Sequence, residues 1–130
     1  MTIQEHINYW LESAEYDMEA SESMLRTGYY VWCLFIGHLV LEKTLKALFV
    51  KISNNKVPPK IHNLNKLASL CNLELSEDRL NFFEDVNDFN IEGRYAEFKN
   101  ELYKTATKVY AQENLNKIKE EYLWLRSLLK

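Results

Sequence analysis

Punctuation is what this sequence lacks: three glycines and two prolines, the latter adjacent as Pro58-Pro59, serve a chain of 130 residues. A β-sandwich or barrel turns many corners and needs glycine and proline to turn them, so this scarcity predicts helices. Hydrophobic residues make up 47% of the chain and charged residues 27%, which is enough apolar surface for one folded core and excludes disorder as the main description. One domain over residues 1–130 is expected, with no internal repeat or low-complexity tract.

Periodicity places the helices. Ile7, Trp10, Leu11, Ala14, Met18, Ser21 and Leu25 recur at three- and four-residue steps, with Glu12, Glu15, Glu19 and Glu22 on the other side. Gly28 is a natural helix end, and the pattern restarts at Tyr29-Tyr30, so helices one and two are read as a hairpin. In the second, Val31, Leu34, Phe35, His38, Leu41, Leu45, Phe49 and Ile52 form the most apolar stripe, which makes it the centre of a bundle. The run Ser53-Asn54-Asn55-Lys56-Val57-Pro58-Pro59-Lys60 ends that helix, giving a loop at about 53–62. Asn63 caps a short third helix with Leu64, Leu67, Ala68 and Cys71 or Leu70 on one face. Ser76 opens a fourth with Leu80, Phe83, Val86 and Asn87 or Asn90 down one side, expected to end near Asn90. No apolar stripe continues from there, so an irregular segment at about 91–106 is expected before a last helix from about Thr107, with Ala111, Leu115, Ile118, Tyr122, Leu125 and Leu129. The predicted fold class is all-α, an up-and-down bundle of four to five helices.

The net charge of −3 provides no general drive toward nucleic acid or acidic membrane, but it is unevenly spread. Residues 1–41 carry −5, residues 42–66 +5, residues 67–101 −6 and residues 102–130 +3. Either acidic and basic helices attract one another in the bundle, or the end of helix two offers a local basic patch. Cys33 and Cys71 lie in apolar runs without disulfide-framework or zinc spacing, which suggests buried thiols of a reducing, cytoplasmic compartment. The N-terminus is acidic and periodic, and no stretch approaches the roughly 20 apolar residues of a membrane span, so no membrane association is expected.

Several chemistries fail on spacing. A carboxylate-bridged di-iron bundle needs glutamate three residues before histidine, whereas Ile3, Phe35 and Pro59 precede His6, His38 and His62. Neither cysteine has a local base, and Gly28, Gly37 and Gly93 stand alone rather than in a phosphate loop. No metal or other cofactor is expected. What remains is a polar ladder on the apolar second helix: His38, Glu42 and Lys46, four residues apart, with Lys43 beside them. Its structural reading is a satisfied core network, with Asp17 as acceptor for Lys46 or Lys43. Its functional reading is a cleft or dimer face that accepts a phosphate or base. Arg94-Tyr95 is the other candidate, since a guanidinium beside an aromatic ring suits phosphate binding and base stacking. Alternatively Arg94 ties its segment to the acidic fourth helix.

Taken in order, Trp10, Ala14 and Asp17, then Gly28-Tyr29-Tyr30, His38-Leu39-x-x-Glu42-Lys43-x-Leu45-Lys46-Ala47-Leu48, Pro59-x-x-His62-x-Leu64-x-x-Leu67 and Gly93-Arg94-Tyr95 resemble the HEPN domain across nearly the whole chain. The resemblance implies a HEPN-type helical bundle, commonly homodimeric. Its members include nucleotide-binding modules and RNA-cleaving toxins paired with a small nucleotidyltransferase antitoxin. The ribonuclease members carry arginine followed, after four to six residues, by histidine. Here the corresponding positions after Arg94 are Lys99, Asn100 and Glu101, so that motif is absent, and Ala96 stands where a subgroup commonly has proline.

The expectation is therefore a nucleotide- or RNA-binding module, homodimeric and acting with a nucleotidyltransferase partner. Its candidate ligand-binding residues are His38, Glu42, Lys43, Lys46, Arg94 and Tyr95, and no catalytic residue is assigned. In this scheme Lys43, Lys46 and Arg94 supply charge, Tyr95 stacks, and His38 with Glu42 positions them. The rivals are a divergent ribonuclease toxin using Arg94 with His38 or His62, and a purely protein-binding bundle.

Overall fold

In the computed structural model, which describes residues 1–94 and 102–130, helix α1 (Ile3–Thr27) begins on a reciprocal cap. The Glu5 amide donates to Thr2 Oγ1 at 3.1 Å and the Thr2 amide to Glu5 Oε1 at 3.0 Å, satisfying two donors that a helix start leaves open. Gly28 ends it in the left-handed region at φ 87°, with the Tyr29 amide returning to the Met24 carbonyl at 2.9 Å. A side chain at that φ is strained, so Gly28→Ala should destabilise the protein by about 1 kcal/mol, read from its denaturation midpoint.

The chain reverses there into α2 (Tyr30–Ile52), which packs against α1, α3 (Leu64–Leu70), α4 (Glu77–Arg94) and α5 (Lys108–Ser127). Being surrounded, α2 is buried around most of its circumference rather than on one stripe: Val40, Thr44, Ala47, Leu48 and Val50 join Leu34, Leu41 and Leu45 in the interior, while Ile52 is exposed. Gly37 lets α5 approach closely, because a methyl group there would stand 2.8 Å from Ile118 Cδ1. The main core combines Phe83, Val86 and Phe89 of α4 with Leu115, Ile118 and Leu125 of α5 around α2. A smaller cluster of Ile7, Ala47 and Val50 closes the other end.

The bundle, the α1–α2 hairpin, the loop after Ile52 and the cap at Asn63 are as the sequence predicts. One boundary is not. Helix α4 does not end near Asn90 but continues to Arg94, so residues 91–94 are helical rather than irregular, and residues 102–105 form a helical turn. The reason is that Asn87, Asn90, Ile91 and Arg94 also repeat at helical spacing and make one face, largely polar, that hydrophobic periodicity does not register. Tyr95, the stacking candidate, lies outside the described residues.

Oppositely charged segments do meet. Lys43 reaches Asp17 of α1 at 2.7 Å, and Lys119 of α5 reaches Glu22 of α1 at 3.2 Å. Both cysteines are buried free thiols, and burial raises the thiol pKa of each, that of Cys71 to about 11. No helix among the described residues is long and apolar enough to cross a membrane.

Candidate functional site

The polar ladder of α2 sits where that helix faces the loop after it and the end of α4. At one end Lys46 Nζ donates to Glu42 Oε2 at 3.0 Å and lies 5.4 Å from the centre of the Trp10 ring. Both members of this pair are nearly excluded from water. A charge so placed requires its partner, because desolvation is repaid only by the opposite charge beside it. The other oxygen, Oε1, accepts from His62 Nδ1 at 2.8 Å. Glu42 thus joins a buried lysine on its own helix to a histidine 20 residues later, on the connection to α3.

His38 completes the arrangement from beneath. Its ring is wholly buried, and Nε2 lies 2.8 Å from the His62 carbonyl oxygen. A carbonyl only accepts, so Nε2 carries the proton and Nδ1 is a bare acceptor. Nδ1 has no hydrogen-bond partner among the described residues and stands 3.8 Å from Glu42 Oε1, itself an acceptor. Burial is the main reason that the His38 pKa falls to about 4. The positive charges of His62 and Arg94 add to it, while Glu42 and the His62 carbonyl oppose it. His38 is therefore a neutral ring that fixes the His62 backbone while Glu42 fixes its side chain.

His62 in turn lines a cleft of about 370 Å³ together with Asn63, Asn87, Asn90, Ile91 and Arg94. Its walls are held by side-chain bonds. Asn87 Oδ1 accepts from the Leu64 amide at 2.8 Å, Asn63 Oδ1 from the Lys66 amide at 3.0 Å, and Asn87 Nδ2 donates to Asn65 Oδ1 at 3.0 Å. The two Asn87 bonds tie the start of α3 to α4, and the Asn63 bond caps α3. Asn90 is 5% exposed, and its Nδ2 is buried without a partner among the described residues. The Arg94 guanidinium is exposed, lies 6.0 Å from the Phe35 ring, and has no carboxylate partner among the described residues.

The six sequence candidates are thus divided. His38, Glu42 and Lys46 form one connected cluster, and Arg94 shares a cleft with the histidine that this cluster holds. Lys43 points elsewhere, to Asp17. His62 is a site candidate in the sequence reading only through the ribonuclease rival, and Asn87 and Asn90 are not site candidates there at all, yet all three line the cleft. The spacing of Asn87, Asn90 and Arg94 is the available signal, a polar helix face in a region without an apolar one.

The sequence model of the HEPN domain matches residues 7–128. Among solved structures, TT1696 from Thermus thermophilus is similar in fold, with a TM-score of 0.77 over 94% of this chain and 97% of that one, at 20% identity. No curated protein matches the sequence significantly.

Proposed function

The chain belongs to the HEPN domain family, and from that premise we propose that it is a binding module for a nucleotide or RNA phosphate, working as a homodimer with a small nucleotidyltransferase partner. The observation that carries this reading is the Arg94 guanidinium, which lines a cleft with His62 and Asn90 and has no carboxylate partner among the described residues. A guanidinium with no carboxylate partner among the described residues, beside a buried amide group, suits a phosphate, whose oxygens accept from its planar fork. Lys43 and Lys46 are already paired with Asp17 and Glu42, so Arg94 is the phosphate ligand in this scheme. Glu42 and His38 act through His62, Lys46 balances Glu42, and Tyr95 is assigned to base stacking from its place in the sequence alone.

A panel of ATP, GTP, their monophosphates and a short RNA, read by thermal shift on wild type and Arg94→Ala, tests the proposal. Ligand at 100 times its Kd should stabilise the wild type by about 2.7 kcal/mol, and the variant by much less. No shift with any ligand would discard the reading in favour of a protein-binding bundle. A second reading, RNA cleavage, is favoured by one observation, that a carboxylate-held His62 shares the cleft with Arg94. Intact labelled RNA after incubation with the purified protein would remove it.

A further inference from the structure

We propose that the cleft at His62, Asn90 and Arg94 takes a phosphate monoester, the terminal phosphate of a nucleotide, and that His62 is the residue that distinguishes it from a phosphodiester. This rests on the phosphate-binding reading above and specifies which phosphate is bound.

Donor geometry is the first argument. A monoester has three non-bridging oxygens, whereas a diester has two and continues as a chain on both sides. Arg94 offers a fork for two oxygens. His62 donates Nδ1–H to Glu42 at 2.8 Å, which leaves Nε2 a bare acceptor for the P–OH that a monoester can carry and a diester lacks. Asn90 supplies an independent sign: a carboxamide nitrogen excluded from water and without a partner among the described residues, on the lining of this same cleft. Buried amides in folded proteins nearly always have partners, and a ligand oxygen at the cleft floor would provide one.

Charge is the second. The groups around the His62 ring are Glu42, His38 and Lys46 from α2 and Arg94 from α4. Lys46 and Arg94 place two cations there against the single carboxylate of Glu42. A monoester, at about −1.5 to −2, gains more from that excess than a diester with its single charge. Size is the third, since about 370 Å³ falls within the range of small-ligand sites. In this scheme Glu42 is a positioning residue, turning His62 so that Nε2 meets the ligand.

Isothermal titration with AMP, 3′,5′-cyclic AMP and adenosine separates the possibilities, because the three share base and ribose and differ in free phosphate oxygens. Wild type should bind AMP at least tenfold more tightly than cyclic AMP, and adenosine not measurably. His62→Gln should bring AMP down to the level of cyclic AMP, and Arg94→Ala should abolish both. A trinucleotide RNA with and without a 5′-phosphate, run alongside, identifies whether the monoester comes from a free nucleotide or a strand end. Equal affinity for AMP and cyclic AMP, lost in Arg94→Ala, would overturn the monoester assignment while leaving phosphate binding intact. A preference for AMP that persists in His62→Gln would overturn the role of His62. Failure of every phosphorylated ligand to bind would overturn both this inference and the reading beneath it. Should His62→Gln fail to fold, the Nε2 resonance of His62 in the wild-type protein should shift with AMP and not with adenosine; an unmoved resonance would sink the assignment.

Discussion

Replacing Glu42 with leucine should destabilise the protein by about 3–5 kcal/mol, the usual cost of removing one partner from a buried ion pair. The variant leaves the Lys46 ammonium nearly excluded from water, with only the Trp10 ring beside it, and frees His62 from its anchor. The penalty comes chiefly from the abandoned charge rather than from the lost attraction. It follows that Glu42→Leu combined with Lys46→Met should recover most of the loss, since an apolar pair of similar volume has no ion to desolvate. Denaturant unfolding of wild type, single and double variants measures both differences. A single variant less than about 1 kcal/mol below wild type would show that Lys46 finds water, and that the ladder does not support the fold. The double variant should stay folded and still lose the preference for AMP, because His62 has lost the carboxylate that orients it.

His38 makes the stability of the protein depend on pH. Its folded-state pKa of about 4 lies below the 6.5 of an unfolded-chain histidine, so on acidification the unfolded chain takes up the proton first. The contribution is complete above pH 6.5, is lost as pH falls from there to about 4, and changes no further below that. Over the 2.5 pH units between those values it amounts to about 3 kcal/mol. The groups that face the ring are Glu42 on its own helix, His62 on the following loop and Arg94 from α4. His38→Gln keeps a donor for the His62 carbonyl but has no proton to gain. The stability gap between wild type and this variant should therefore narrow, or reverse, by about 3 kcal/mol between about pH 7 and pH 4. A gap that stays constant would mean that the ring is not held neutral by burial.

These two effects arise from the part of the molecule that the sequence describes least completely. The helices, the hairpin at Gly28, the break at Pro58-Pro59 and the cap at Asn63 depend on residues within about one helical turn of each other, so they can be read along the chain. The ladder is legible for the same reason, since His38, Glu42 and Lys46 are neighbours on one helix face. Asp17 as a partner for a lysine of α2 is legible too, because a basic residue on that helix opposes an acidic one on the hairpin's other arm.

Partnership across the fold is not legible. His38 meets the carbonyl of a residue 24 positions later, and Glu42 meets the imidazole of that same residue. Which of two lysines is buried with Glu42 and which is paired nearer the surface with Asp17 depends on how α1 lies against α2. The helical course of residues 91–94 is hidden because the face it continues is largely polar, facing a cleft rather than a core. Where the helices run, and which polar residues share the buried face of α2, thus follow from the order of residues alone, because backbone capping and side-chain periodicity act over a few positions. That Arg94, Asn90 and His62 line one cleft with Glu42 behind it follows only from the packed molecule, because hydrogen bonds and charges between distant segments are set by how the helices dock, which no local pattern encodes.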